Sequence, residues 1–451
     1  MREFKSFYFE KFSFDKETLK ASFEYSFDEN YFFFEEIDFS CENFSQINKL
    51  DDAIINNFLF SLHIALWISY YKSFPTEKLF IKSWFLDSNQ KEFWQKFYKN
   101  WLGEFLYTNK ISPQNLFNFE NLSNKIFEKI DFSLSEKSLI PLGWWKDSLV
   151  SIDLYEKNNL DFDLIVFWKT DSIKQNCASI IWKDILLIKR KISPSLLELN
   201  ELWNYNWHVP ITWIIAFTLL FVCYLYDYKY IVLSNEKSAN SWNTFWEWLD
   251  INHQWSKSLD FERDFKKYIE IYLSSDIKYF SLLRWWYELK IAKYFAENNK
   301  KYFSHFSSCN NNFKIDENKR LKQTIWCNSC PKCAFVFAIL RPYLSENEIL
   351  SIFGEDLFLK NDLTQTYMEL LGYDSIKPFE CVWETEEVVL AFYESLKFYD
   401  WKISEILEIF RKNILTKYDL SYFELLQKKF ATISSDDIIP EKLKQILLKN
   451  I

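Results

Sequence analysis

Glycine is almost missing from this chain. It has 4 Gly in 451 residues, where an average chain of that length carries on the order of 30. Turns, helix ends and phosphate loops need backbone with positive φ, and glycine is the residue that adopts it without strain. So low a count excludes any fold built on glycine-rich loops, unless glycine is hidden under another letter. Tryptophan is the candidate, at 20 residues. Arg is scarce beside Lys, and Phe, Ile, Asn and Lys abound, the bias of an AT-rich gene. A gene in which UGA means glycine, translated with UGA as tryptophan, leaves this pattern. Many of the Trp are then glycine in the native protein; the alternative is a genuinely Trp-rich protein, and mass spectrometry of the native protein decides the matter.

Other absences narrow the class. No signal peptide is expected, because Met1-Arg-Glu-Phe leads straight into aromatic, charged sequence. The most apolar run, 209–226, is short for a membrane span and carries Pro210, Thr212 and Thr218. It reads as a buried helix. There is no internal repeat and no low-complexity linker. The 8 Cys fall at uneven spacings, so reduced thiols and a cytoplasmic location are expected. The net charge of −9 gives no overall field for nucleic acid, though a local basic patch stays open.

The length suits two or three domains. Residues 1–135 read as an N-terminal α+β domain. Phe7-Tyr-Phe-Glu-Lys-Phe12 and Ala21-Ser-Phe-Glu-Tyr25 alternate like strands, while 51–71 and 90–106 read as helices. Residues 136–300 alternate strand and helix: Ser138–Leu142, Leu164–Phe167 and Tyr230–Leu233 as strands, with a helix from Asp147. That pattern predicts a doubly wound parallel sheet, and so an α/β fold. Residues 301–451 read as a Cys cluster followed by helix.

Gly143-Trp-Trp-Lys-Asp-Ser148 follows the first central strand and opens its helix. With glycine at 144 and 145 it resembles the PP-loop, usually Ser-Gly-Gly-x-Asp-Ser, and departs from it at 143. Glycines let successive N–H groups turn toward a phosphate, and the helix N-terminus adds positive potential. The resemblance implies a PP-loop fold binding ATP and Mg²⁺. Lys146 adds charge, Asp147 caps the helix or helps hold the metal, and Ser148 donates to phosphate. The plainer alternative is a strand-to-helix turn with a capping Asp. Asn235 and Glu236 follow the strand at 230–233, where doubly wound folds place ligands; alone they read as an ordinary polar loop.

Cys327-x-x-Cys330-x-x-Cys333 with Cys309 upstream supplies four thiolates. Tetrahedral Zn²⁺ suits that spacing, and an iron–sulfur cluster uses the same number. A structural role is expected, with Pro331 and Lys332 as loop residues. PP-loop followed by Cys cluster is similar to 7-cyano-7-deazaguanine synthase, which has no counterpart to the first domain or the last hundred residues.

Several strings together resemble a narrower family, the UDP-N-acetylmuramoyl-L-alanyl-L-glutamate epimerases (MurL family). They are 143–148, His208-Val-Pro-Ile-Thr212, Leu233–Ala239, Asn252-His-Gln-Trp-Ser-Lys-Ser258, Tyr279–Arg284 with Glu288-Leu289, Ser308-Cys-Asn310, 327–333 and Lys377-Pro-Phe-Glu-Cys381. Trp207, Trp213, Trp242 and Trp383 stand where that pattern sits better with glycine. The resemblance implies ATP-dependent inversion of the terminal L-Glu of UDP-MurNAc-L-Ala-L-Glu, with release of AMP and diphosphate, in peptidoglycan synthesis. Inversion needs an acid–base pair or one group with solvent; the candidates are His253, His208, Cys381 and Glu380. Each also reads as a structural residue. Lys237, Lys257 and Arg284 are candidates for binding diphosphate or carboxylates, with a solvated surface role as the alternative. Two rival readings remain at this level. One is a PP-loop enzyme adenylating a nucleobase or tRNA, and the other is a zinc-dependent nucleic-acid-binding module without catalysis.

Overall fold

The computed structural model describes residues 4–46, 50–120, 123, 125, 129–143, 145–201, 205, 211–240, 244–252, 254–312, 325–373 and 384–450. The strands, in chain order, are β1 (Ser6–Asp15), β2 (Lys20–Phe27), β3 (Tyr31–Asp38), β4 (Lys78–Ile81), β5 (Asn118–Phe119), β6 (Ser138–Pro141), β7 (Phe162–Phe167), β8 (Ile185–Lys191), β9 (Tyr230–Leu233), β10 (Thr244–Trp246), β11 (Leu249–Ile251) and β12 (Lys278–Ser281). Ten of them form one sheet in the order β12-β9-β6-β7-β8-β3-β2-β1-β4-β5, and β10 and β11 make a separate hairpin.

From β12 to β8 all neighbours run parallel. Successive residues of these strands enter different cores. Leu139, Ile165, Ile231 and Tyr279 join one cluster with the helices Asp52–Leu66 and Ile211–Tyr226. Ile140, Leu164, Val232 and Phe280 join the other, with the helices Lys146–Lys157, Glu288–Asn298 and Pro331–Leu340. Both faces are covered, which is why the strands are apolar without alternation. The expected α/β, doubly wound arrangement is present in this half.

The N-terminal strands do not form a sheet of their own. β3 pairs antiparallel with β8, in the register Glu36↔Lys191, Ile37↔Arg190, Asp38↔Lys189. Acids on β3 thus face bases on β8. Behind the ladder Arg190 Nε lies 2.5 Å from Glu35 Oε1, both side chains almost fully buried. Opposite charges across a ladder favour one pairing, and like charges oppose the alternatives. The expected boundary near 135 falls between β5 and β6, and the sheet runs across it. β3-β2-β1 is an antiparallel meander, extended by parallel β4 and β5.

Residues 52–71 form the one helical stretch, among those described, long and apolar enough to cross a membrane, and 89% of its most apolar 18-residue window is buried inside the molecule. Asp51 caps its start by accepting from Ala53 N and Ile54 N. The run expected as a buried helix is the helix Ile211–Tyr226, buried along most of its length.

Several tryptophans sit where glycine is favoured. Trp168, Trp182 and Trp248 have φ of 69°, 59° and 68°. Trp182 ends the helix Ser172–Ile181 in the left-handed conformation, with 92% of its surface exposed; this is the position where helices most often carry Gly. Glu247-Trp248 is the two-residue turn between β10 and β11, both residues at positive φ, a turn that prefers Asn-Gly or Asp-Gly. The indole N–H groups of Trp101, Trp145, Trp168, Trp213 and Trp286 are buried with no acceptor among the described residues. Buried indoles ordinarily find one.

Candidate active site

The parallel half has a switch point between β6 and β9. From β6 the chain moves to β7 and β8 on one side, then returns to β9 on the other. The loops leaving β6 and β9 therefore diverge at their C-terminal ends and open a crevice, the standard ligand position in such sheets. The loop after β6 is 142–145, leading into the helix Lys146–Lys157. Trp145 precedes that helix with extended backbone and no side-chain cap, so the first N–H groups of the helix have no intrahelical acceptor. Ser148 Oγ lies 3.0 Å from the carbonyl oxygens of Gly143 and Trp145 and closes the loop. A Cβ on Gly143 would meet Ser148 Oγ at 3.7 Å, an ordinary contact. The serine usual at that place in PP-loops therefore fits here.

Lys146 Nζ lies 2.6 Å from Asp147 Oδ1 and 2.6 Å from Glu288 Oε1, all three residues buried. Burial opposes the Lys146 charge, but the two carboxylates outweigh it and hold the ammonium well above its ordinary range. Glu288 moves the other way. Burial pushes its carboxyl up, Lys146 pulls it down, and Asp147 and Glu236 push it up again. Lys146 is the one ammonium paired with Glu288 among the described residues, and Asp147 shares it. Its Oε2 is buried with no hydrogen-bond partner among the described residues. Asp147, Glu236 and Glu288 are the hard oxygen donors that a divalent cation takes.

These groups line one cavity with Trp145, Lys257, Ser308 and Lys332. Its free volume is about 40 Å³, room for roughly two or three waters. The Trp145 indole lies against it, with Lys257 Nζ 4.6 Å and Lys332 Nζ 4.7 Å from its ring centroid.

Other expected site residues brace this cavity from behind. Arg284 is wholly buried; it donates to the carbonyls of Glu236 and Lys257 and pairs with Glu262 Oε1 at 2.6 Å. It fixes the two loops that bring Glu236 and Lys257 forward and does not face the cavity, contrary to the expected substrate contact. Asn235 Nδ2 donates to Ser281 Oγ at 2.8 Å, tying the ends of β9 and β12. Lys237 stands over the Tyr287 ring at 4.5 Å. Glu288 and Ser308, missed as site residues in the sequence, lay inside the quoted strings; Lys332 was read as loop. Trp144, His208, His253, Glu380 and Cys381 lie outside the described residues.

Cys309, Cys327, Cys330 and Cys333 bring their sulfurs within 4.8 Å of one another. Cys327–Cys333 and Cys330–Cys333 are 3.7 and 3.5 Å apart. Tetrahedral zinc at about 2.3 Å from each thiolate sets sulfurs about 3.8 Å apart. Cys330 and Cys333 belong to the start of the helix Pro331–Leu340, whose Lys332, Phe335 and Val336 line the cavity. The Cys group and the cavity are neighbours.

Comparison with known proteins names this arrangement. Residues 1–282 match the MurL N-terminal domain, and residues 305–421 match the MurL C-terminal domain. The chain belongs to the MurL epimerase family. It is 31% identical over 441 residues to the UDP-N-acetyl-alpha-D-muramoyl-L-alanyl-L-glutamate epimerase of Xanthomonas oryzae pv. oryzae, covering 97% of this chain and 96% of the relative. Its identity to the Salinispora tropica protein of the same name is 32%, over 87% of this chain and 85% of that one. The chain is therefore an epimerase, an isomerase by class, with a role in peptidoglycan synthesis. This overturns the reading as a module without catalysis and sets aside the nucleobase and tRNA enzymes.

Proposed function

We propose that the enzyme uses ATP and Mg²⁺ to invert the terminal L-Glu of UDP-MurNAc-L-Ala-L-Glu, through adenylation of the α-carboxylate, in the cytoplasm. The observation that carries this reading is the convergence of the 143–148 loop, Glu236 and Glu288 at the β6/β9 switch point. The carboxylate oxygen attacks the α-phosphorus of ATP and diphosphate leaves. The carboxylate loses its negative charge, and the neighbouring Cα–H becomes far more acidic. The proton is removed from one face and returned to the other. Water then cleaves the mixed anhydride, giving UDP-MurNAc-L-Ala-D-Glu and AMP. His208, His253, Glu380 and Cys381 are our candidates for the proton transfers.

In this reading the helix N-terminus at Lys146 and the side chains of Lys146 and Lys257 face the diphosphate that forms. Asp147, Glu236 and Glu288 hold Mg²⁺, which supplies charge neutralisation on the phosphate oxygens. The four cysteines hold a structural Zn²⁺; an iron–sulfur cluster uses the same ligand set.

The reading also requires an open loop, and we propose that positions 144 and 145 are glycine in the native protein. The positive φ of Trp168, Trp182 and Trp248 and the buried indoles with no acceptor among the described residues support the same decoding elsewhere. Intact-mass and peptide analysis of protein from the native host tests it: glycine at 145 is expected, and tryptophan there ends the decoding idea.

A further inference from the structure

We infer that Lys332 and Ser308, supplied by the cysteine-bearing region, complete the phosphate-binding wall of the nucleotide cavity. This rests on the ATP reading above and adds a second wall opposite the 143–148 loop. Lys332 is the second residue of the ten-residue helix Pro331–Leu340, whose N-terminus has positive potential. Its ammonium makes no ion pair among the described residues and stands over the Trp145 ring at 4.7 Å. Lys257 approaches the same ring from a different element at 4.6 Å. Two ammonium groups on one ring mark a place of concentrated positive charge, for which a phosphate is a far stronger partner than a ring face. With glycine at 145 the ring is gone and that place is open.

Ser308 gives the second, independent sign. It is 9% exposed and lines the cavity, and its Oγ is buried with no hydrogen-bond partner among the described residues. Buried hydroxyls are seldom left so. Ser308 adjoins Cys309, and Lys332 lies between Cys330 and Cys333. Whatever holds the four sulfurs together also holds these two groups against the cavity. The carboxylates gather instead around Lys146, so the cavity has a cation-binding floor and an anion-binding wall.

The test is equilibrium binding of inorganic diphosphate and of Mg-ATP to the full chain carrying glycine at 144 and 145. Lys332→Ala should weaken both at least tenfold and lessen the salt dependence of binding, with metal content unchanged. Lys332→Arg should retain most of the affinity, which separates charge from misfolding. Ser308→Ala should weaken binding severalfold. If Lys257→Ala weakens binding and Lys332→Ala does not, the second wall is wrong and the ATP reading stands. If the glycine-bearing protein binds neither ligand, both are wrong.

Discussion

Glu288 is the side chain whose environment says most about the chemistry. It is buried beside Lys146, with Asp147 and Glu236 adding negative charge, and one oxygen has no partner among the described residues. Glu288→Gln should leave the fold intact and raise the Mg²⁺ concentration for half-maximal turnover by about tenfold; an unchanged Mg²⁺ dependence would remove it from the metal site. His63 offers a prediction of a different kind. It is fully buried, with Nδ1 near Ser83 Oγ and Nε2 near the Glu24 carbonyl. Burial pushes its pKa down to about 3, against an ordinary value of about 6.5 in the unfolded chain. Between those values the unfolded chain takes up a proton that the folded one refuses. Stability should therefore hold above about pH 6.5 and fall below it by up to about 1.4 kcal/mol per pH unit. Denaturant titrations from pH 7.5 to 4.5 check this: His63→Gln should flatten the His63 part of the slope, and an identical slope would contradict it.

At the scale of elements, the β3–β8 pairing makes one sheet of two halves. The Arg190–Glu35 pair behind it is almost fully buried. Removing one partner of such a pair strands a charge and costs about 3–5 kcal/mol. Glu35→Ala should lower stability by that amount in chemical denaturation; a loss under about 1 kcal/mol would mean the pair is not buried as described. The Cys group makes a second prediction. One zinc per chain is expected by elemental analysis, and stripping it should lower the melting temperature and weaken nucleotide binding together. Metal-free protein with full stability and affinity would contradict both roles. The same comparison shows what was legible. β6, β7 and β9 were readable because strands buried on both faces are short apolar runs between polar turns. β3 with β8 was not, because that pairing depends on charges some 150 residues apart in the chain. The loop 143–148 was readable as a string. Lys332 was not, since only the packing of the helix Pro331–Leu340 against the switch point brings it there, and Arg284 was misplaced because sequence does not show which cations are buried.

On the scale of the whole molecule, the candidate crevice draws on strands from the centre of the chain, loops after β9 and β12, and the cysteine-bearing helix of the C-terminal third. Two family domains cover 1–282 and 305–421, and the cavity is lined from both sides of that division.

The most direct test is conversion itself. The chain with glycine at the suspect tryptophans, above all 144 and 145, is incubated with UDP-MurNAc-L-Ala-L-Glu, ATP and Mg²⁺, the product is acid-hydrolysed, and the glutamate so freed is resolved by chiral chromatography. The account predicts D-Glu in step with AMP and diphosphate, and no turnover from the chain with Trp144 and Trp145. D-Glu formed without ATP, or none formed by folded, metal-loaded protein, would contradict it.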